Sequence, residues 1–119
     1  MIKRLLILLF LFYSCSSDNN SSTIIGNIDN KSKTKIFLIE ADSNNQPIIV
    51  DSTNAIDGSF NFKREVFIPN INFIQVKDYT GNFPFVLEKG TIEIELYKDS
   101  IPSSTSYGTK SNDSFMEYK

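Results

Sequence analysis

Apolar and polar residues alternate along most of the chain with a period of two, in short segments broken by Asn, Asp, Gly, Ser and Pro. That period belongs to half-buried β-strands, whose successive side chains point to opposite faces. The cleanest case is 91–97, where Ile92, Ile94 and Leu96 share one face while Glu93, Glu95 and Tyr97 share the other. Residues 23–29 form a first expected strand, followed by a polar turn at 30–33. Residues 34–41 carry the unbroken run Ile36-Phe37-Leu38-Ile39, which predicts a central strand covered on both faces. Periodicity alone leaves a short buried helix open for that run, and its β-branched content favours the strand. The stretch 47–62 reads as a β-hairpin around which the remaining strands are laid. Asp57-Gly58 supplies the pair that tolerates positive φ at a tight reversal, and Phe60 and Phe62 then alternate with Ser59, Asn61 and Lys63.

Further on, Pro69-Asn70 turns the chain, 71–77 reads as another strand, and Asp78 to Gly81 marks a reversal. Phe83, Phe85 and Leu87 alternate with Pro84, Val86 and Glu88, and Pro84 confines that strand to an edge or a bulge. Lys89-Gly90 is a tight turn before the 91–97 strand, and 103–107 adds a last edge strand. Short strands at spacings of roughly 8–12 residues with turn signals between them describe an all-β fold. The expected architecture is an antiparallel β-sandwich or open barrel of seven to eight strands. The tail differs: Ser111, Asn112 and Asp113 are N-cap candidates, and Phe115 and Tyr118 lie three residues apart, as at the start of a helix. A helix this short is marginal alone, so it either docks on the sheet or leads on into further chain; the second is expected.

The amino terminus has a separate character. Lys3-Arg4 is followed by an apolar run at 5–13, then by Ser14 and Cys15, the parts of a bacterial secretory signal. The run is too short for a helix that needs roughly 20 residues to cross a bilayer. Phe12-Tyr13-Ser14-Cys15 resembles a lipoprotein box, which implies lipid modification of Cys15. The expected organisation is a signal peptide at 1–14, a flexible polar tether at 15–22, a β-sandwich domain at 23–110, and a helix start or linker to a missing domain at 111–119. A chain anchored through Cys15 would sit in the bacterial cell envelope, in the periplasm or at the outer membrane.

Composition narrows the chemistry. Cys15 is the single cysteine among 119 residues, so neither an internal disulfide nor a Cys-x-x-Cys redox pair exists here. The absence of His removes the usual general base and the commonest metal ligand. A formal net charge of −2 offers no footprint for nucleic acid. No catalytic set, metal site or cofactor is expected. Glu88, which follows an apolar run, is the one carboxylate to inspect: burial would raise its pKa, whereas the structural alternative is a strand-end group facing water or capping the Gly90 turn. Asp51-Ser52 lacks a base and reads as satisfying backbone donors, and Asp51 with Asp57 lacks calcium-loop spacing. Asp57, Gly58, Lys89 and Gly90 are assigned to turns. Tyr79, Phe83, Tyr97 and Tyr107 form either a binding platform or, more simply, core and cross-strand pairs.

Three segments carry a family resemblance: Val50-Asp51-Ser52 to Asp57-Gly58-Ser59-Phe60-Asn61-Phe62, then Phe85-Val86-Leu87-Glu88-Lys89-Gly90-Thr91-Ile92, and the closing Gly108-Thr109-Lys110-Ser111-Asn112-Asp113. In this order behind a lipoprotein signal they resemble the amino-terminal domain of unknown function (4369 type) of thioredoxin-like, thiol-disulfide oxidoreductase lipoproteins of Gram-negative bacteria. The resemblance implies a β-sandwich followed by a helix and a thioredoxin fold, and this chain contains no such thioredoxin domain. The expected function is therefore a membrane-anchored, non-catalytic binding or positioning module, whose partner is a protein or an attached thioredoxin-like domain. The alternative is the amino-terminal part of a thiol-disulfide oxidoreductase whose catalytic domain is absent.

Overall fold

The computed structural model describes residues 20–118, so Cys15 and the signal segment lie outside the described residues. Among the described residues, eight strands form two four-stranded sheets packed face to face. They are β1 (Ser21–Ile28), β2 (Thr34–Ala41), β3 (Pro47–Ala55), β4 (Ser59–Glu65), β5 (Asn70–Val76), β6 (Asn82–Leu87), β7 (Gly90–Leu96) and β8 (Thr105–Tyr107). A 3-10 turn at Ile101–Ser103 precedes β8, and one helix, α1 (Lys110–Glu117), follows it. Sheet A has the order β4-β1-β7-β8 and sheet B the order β3-β2-β5-β6. The all-β sandwich expected from the periodicity is what forms, and it is open at the sides rather than closed into a barrel.

Alternation places the core. Ile24, Ile28, Phe60, Phe62, Ile92, Ile94 and Leu96 of sheet A face Ile36, Leu38, Ile74, Val76, Phe83, Phe85 and Leu87 of sheet B in one buried cluster. Phe60 and Phe62, two apart on β4, meet edge to face at 6.1 Å between ring centroids, a favoured aromatic geometry. Gly26 makes room for this pair, because a Cβ there would lie 2.0 Å from the Phe60 ring.

Two expectations about strand pairing need correction. The 47–62 hairpin does not exist as a two-stranded ribbon. Asp57 and Gly58 do take positive φ, 53° and 82°, and Ile56 and Ser59 exchange both backbone hydrogen bonds at 3.0 Å, as a type I′ turn requires. Beyond that one bridge the strands part: β3 pairs with β2 in sheet B, whereas β4 pairs with β1 in sheet A. The turn is thus a corner between sheets. Nor is the sandwich wholly antiparallel, since β1 and β7 run parallel, with all of sheet B lying between them in sequence.

The boundaries also shift. Ser21 and Ser22, assigned to the tether, are already in β1, and the Asn20 carbonyl accepts from Val66 N–H at 2.7 Å. Helix α1 docks on the sandwich, touching β8 of sheet A and β6 of sheet B. Pro84 lies on β6, an edge strand of sheet B, where its missing N–H breaks no ladder.

Candidate functional site

The sequence singled out Glu88, and the structure gives it a clear task. Its carboxylate, at the β6–β7 junction, accepts from Ser111 N–H at 2.9 Å and from Ser111 Oγ at 2.8 Å. The N-cap position of α1 is Thr109, whose side chain makes no cap hydrogen bond. A carboxylate from another element therefore satisfies the exposed donors of the first turn and complements the positive end of the helix. Burial pushes the Glu88 pKa up, but hydrogen bonds from Thr109, Ser111 and Asn112 outweigh it and hold the pKa below the ordinary value of 4.5. The rise that burial alone would give is thus outweighed, and Glu88 acts as a cap, of α1 rather than of the Gly90 turn.

Beside it lies a residue read from the sequence only as an N-cap candidate. Asn112 is wholly buried. Its Oδ1 accepts from Val86 N–H and Ser106 Oγ, both at 3.0 Å. Its Nδ2 donates to the Val86 carbonyl at 2.8 Å and to Thr109 Oγ1 at 2.7 Å. Every hydrogen-bonding capacity of the amide is used. The side chain behaves like one residue of an added strand on the β6 edge and fastens the helix across the open side of the sandwich.

The other marked residues do not gather. Asp51 Oδ1 accepts from Ser52 N–H at 2.8 Å. Asp57 and Gly58 lie at the inter-sheet corner, and Lys89 is exposed beside Gly90, whose φ is 113°. Phe83 is fully buried in the core. Tyr79 packs against the core, and its hydroxyl accepts from Asn30 Nδ2 at 2.6 Å. Tyr97 and Tyr107 remain exposed on sheet A, where Tyr107 pairs with Glu93. An aromatic platform built from all four is therefore excluded. No cluster of three or more potential metal-ligating side chains occurs among the described residues.

What periodicity did not show is the outer face of sheet B. The expected covering of β2 on both faces is not found among the described residues: Ile36 and Leu38 enter the core, whereas Phe37 and Ile39 face outward, with no second layer of described residues over them. Pairing registers align Ile49, Ile39, Phe73 and Pro84 in one row across all four strands. Pro47 pairs with Ala41, and Ile71 with Val86, in the adjacent row. Ile49 and Ile71 are 60% and 46% exposed, whereas Ile39 is 5% exposed, shielded by its neighbours on that face. A register shift between Leu38 and Ile39 leaves Val50 as an extra residue on β3 and swings Ile49 outward. Beyond this half the face turns polar, with Ser52, Gln75, Asn82, Asn54 and Lys35. The outer face of sheet A is mostly polar, with Thr23, Asn27, Ser59, Asn61, Lys63, Glu93 and Glu95 around exposed Ile25 and, in the same row, Tyr107.

The chain matches the family described as "Domain of unknown function (DUF4369)" over residues 22–115. It belongs to that family. The matched span covers all eight strands but for Ser21 of β1, and most of α1, so the docked helix is part of the DUF4369 domain. Comparison with curated proteins and with solved structures gives no match.

Proposed function

We propose that this DUF4369 domain is a lipid-anchored, non-catalytic module of the bacterial cell envelope that holds a thioredoxin-like domain, attached or separate, against the outer face of sheet B. The observation carrying this reading is the pair of apolar rows on the outer face of sheet B, the other half of which is polar. Two rows on four strands, at strand spacings of about 4.8 Å and two-residue steps of about 7 Å, cover roughly 300 Å². That size falls in the range of patches that are commonly functional on monomers. It is well short of the roughly 800 Å² per partner of a standard stable complex, and it matches one side of a small interface between domains, about 600 Å² in total. A positioning surface fits that size better than a permanent dimer.

The anchor part of the reading is supported by the Lys3-Arg4, apolar run and Cys15 pattern. In this reading, acyl chains on Cys15 supply the membrane partner. Site-specific photocrosslinking in intact cells tests the surface. A photoreactive side chain at Ile49 should yield one discrete adduct whose peptides carry a thioredoxin-like Cys-x-x-Cys sequence, and one at Asn61 on sheet A should yield none. Equal adducts from both positions, or none from Ile49, would refute the assignment of the face.

A further inference from the structure

The loop joining β4 to β5, Val66-Phe67-Ile68-Pro69, is apolar throughout, yet Phe67 and Ile68 at its tip are 68% and 76% exposed. Neighbouring large apolar side chains left in water at a loop tip contribute nothing to the core and favour aggregation unless something covers them. The base of the loop is firm. Val66 is buried in the core, and its N–H donates to the carbonyl of Asn20, the first described residue. The chain preceding the sandwich therefore starts directly beside the exposed pair. Cys15 is five residues before Asn20, a reach of at most about 17 Å even when fully extended.

We propose that Phe67 and Ile68 form a wedge that enters the boundary between headgroups and acyl chains of the membrane that holds the acylated Cys15. This rests on the anchored reading given above and adds to it a second, non-covalent contact with the same bilayer. Two features suit the loop to that position. A depression of about 300 Å³ lined by Val66, Phe67, Pro69, Glu88 and Lys89 adjoins it, so Lys89 borders the wedge, and a lysine at such a boundary extends its ammonium toward phosphate groups. The neighbouring carboxylates are Glu65, exposed at the end of β4, and Glu88, occupied by α1. With Glu65 offsetting Lys89, insertion is driven by apolar burial and not by net charge, and it is insensitive to salt.

The consequence is an orientation. One point of attachment lets a domain swing freely, whereas a lipid anchor and an adjacent wedge together fix which end faces the bilayer. Ile56, also exposed, lies beside the Asp57-Gly58 corner. That corner is at the opposite end of β1, where Ile28 N–H donates to the Gly58 carbonyl, about 27 Å away by strand rise. The strands then stand on the membrane, and the apolar rows of sheet B face sideways toward a partner in the same compartment.

The chain contains no Trp, so Phe67→Trp and Ile56→Trp each introduce a single reporter at an exposed site that tolerates it. The full acylated protein is reconstituted into phosphatidylethanolamine and phosphatidylglycerol vesicles with brominated acyl chains. The expected result is blue-shifted emission from Phe67→Trp, quenched by about half or more and unchanged at about 0.5 M salt, with Ile56→Trp unquenched. Equal quenching of the two variants, or none of either, in a protein that carries palmitate on Cys15 overturns the wedge and leaves the anchor standing. A protein that incorporates no palmitate overturns the anchor, and the proposed wedge with it.

Discussion

Replacing Asn112 with Ala tests whether α1 is an integral part of the sandwich. The substitution removes four hydrogen bonds at 2.7–3.0 Å from a fully buried amide. At about 1 kcal/mol net for each bond the loss is roughly 4 kcal/mol. It also leaves the N–H and carbonyl of Val86 without their partner on the β6 edge. Water entering the vacated space recovers part of this, so the expected destabilisation is about 3 kcal/mol. In a domain of this size, 1 kcal/mol moves the melting temperature by roughly 4–8 °C, so a fall of about 12–24 °C is expected. Urea unfolding followed by far-ultraviolet circular dichroism gives the free energy directly. Asp113→Ala on the same helix is the control: it removes one exposed bond, from Gly108 N–H at 3.0 Å, and should cost about 1 kcal/mol or less. Loss of less than about 1 kcal/mol in Asn112→Ala, with an unchanged denaturant slope, would refute the docking of α1 through this amide.

Glu88→Gln should destabilise by about 1 kcal/mol at neutral pH, allowing for solvent screening at a half-buried site. Because the folded-state pKa of Glu88 lies below 4.5, its contribution is complete above that value and is lost as pH falls through the folded pKa; the melting temperatures of wild type and Glu88→Gln should converge in acid. Gly58→Val forces a β-branched residue to positive φ and brings its Cβ to 2.5 Å from the Ile28 carbonyl oxygen, so a loss of about 2 kcal/mol or more is expected in thermal unfolding. Ile49→Asp, on the exposed apolar face, should change stability by less than about 0.5 kcal/mol while abolishing the photocrosslinked adduct formed from a probe at Phe73.

Strand positions were legible because one face of nearly every strand is buried, which imposes a period of two. Residues 91–97 show this most plainly, and β7 occupies Gly90–Leu96. Sheet membership was not legible. Asp57-Gly58 encodes a reversal through its own backbone preferences, and those preferences are the same whether the flanking strands stay together or part into different sheets. Which one happens is decided by pairing partners far off in sequence, β2 for β3 and β1 for β4. The Ile36–Ile39 run misled for a related reason: alternate residues go to the core and to an uncovered outer face, and an apolar residue looks the same in either place. Glu88 was marked by its position after an apolar run, but the sign of its pKa shift depends on Ser111, 23 residues on. Asn112 gave no signal of its own beyond helix-capping chemistry, because its partner Val86 lies 26 residues earlier.

The most direct measurement of the central claim, that this sandwich acts by presenting one apolar face, is an amide chemical-shift titration of the domain with a thioredoxin-like protein of a bacterial cell envelope. The expected result is perturbation concentrated at Ile39, Ile49, Ile71 and Phe73, with Asn27, Asn61 and Glu93 unmoved. Perturbation centred on sheet A, or none at either face at saturating concentrations, would contradict it.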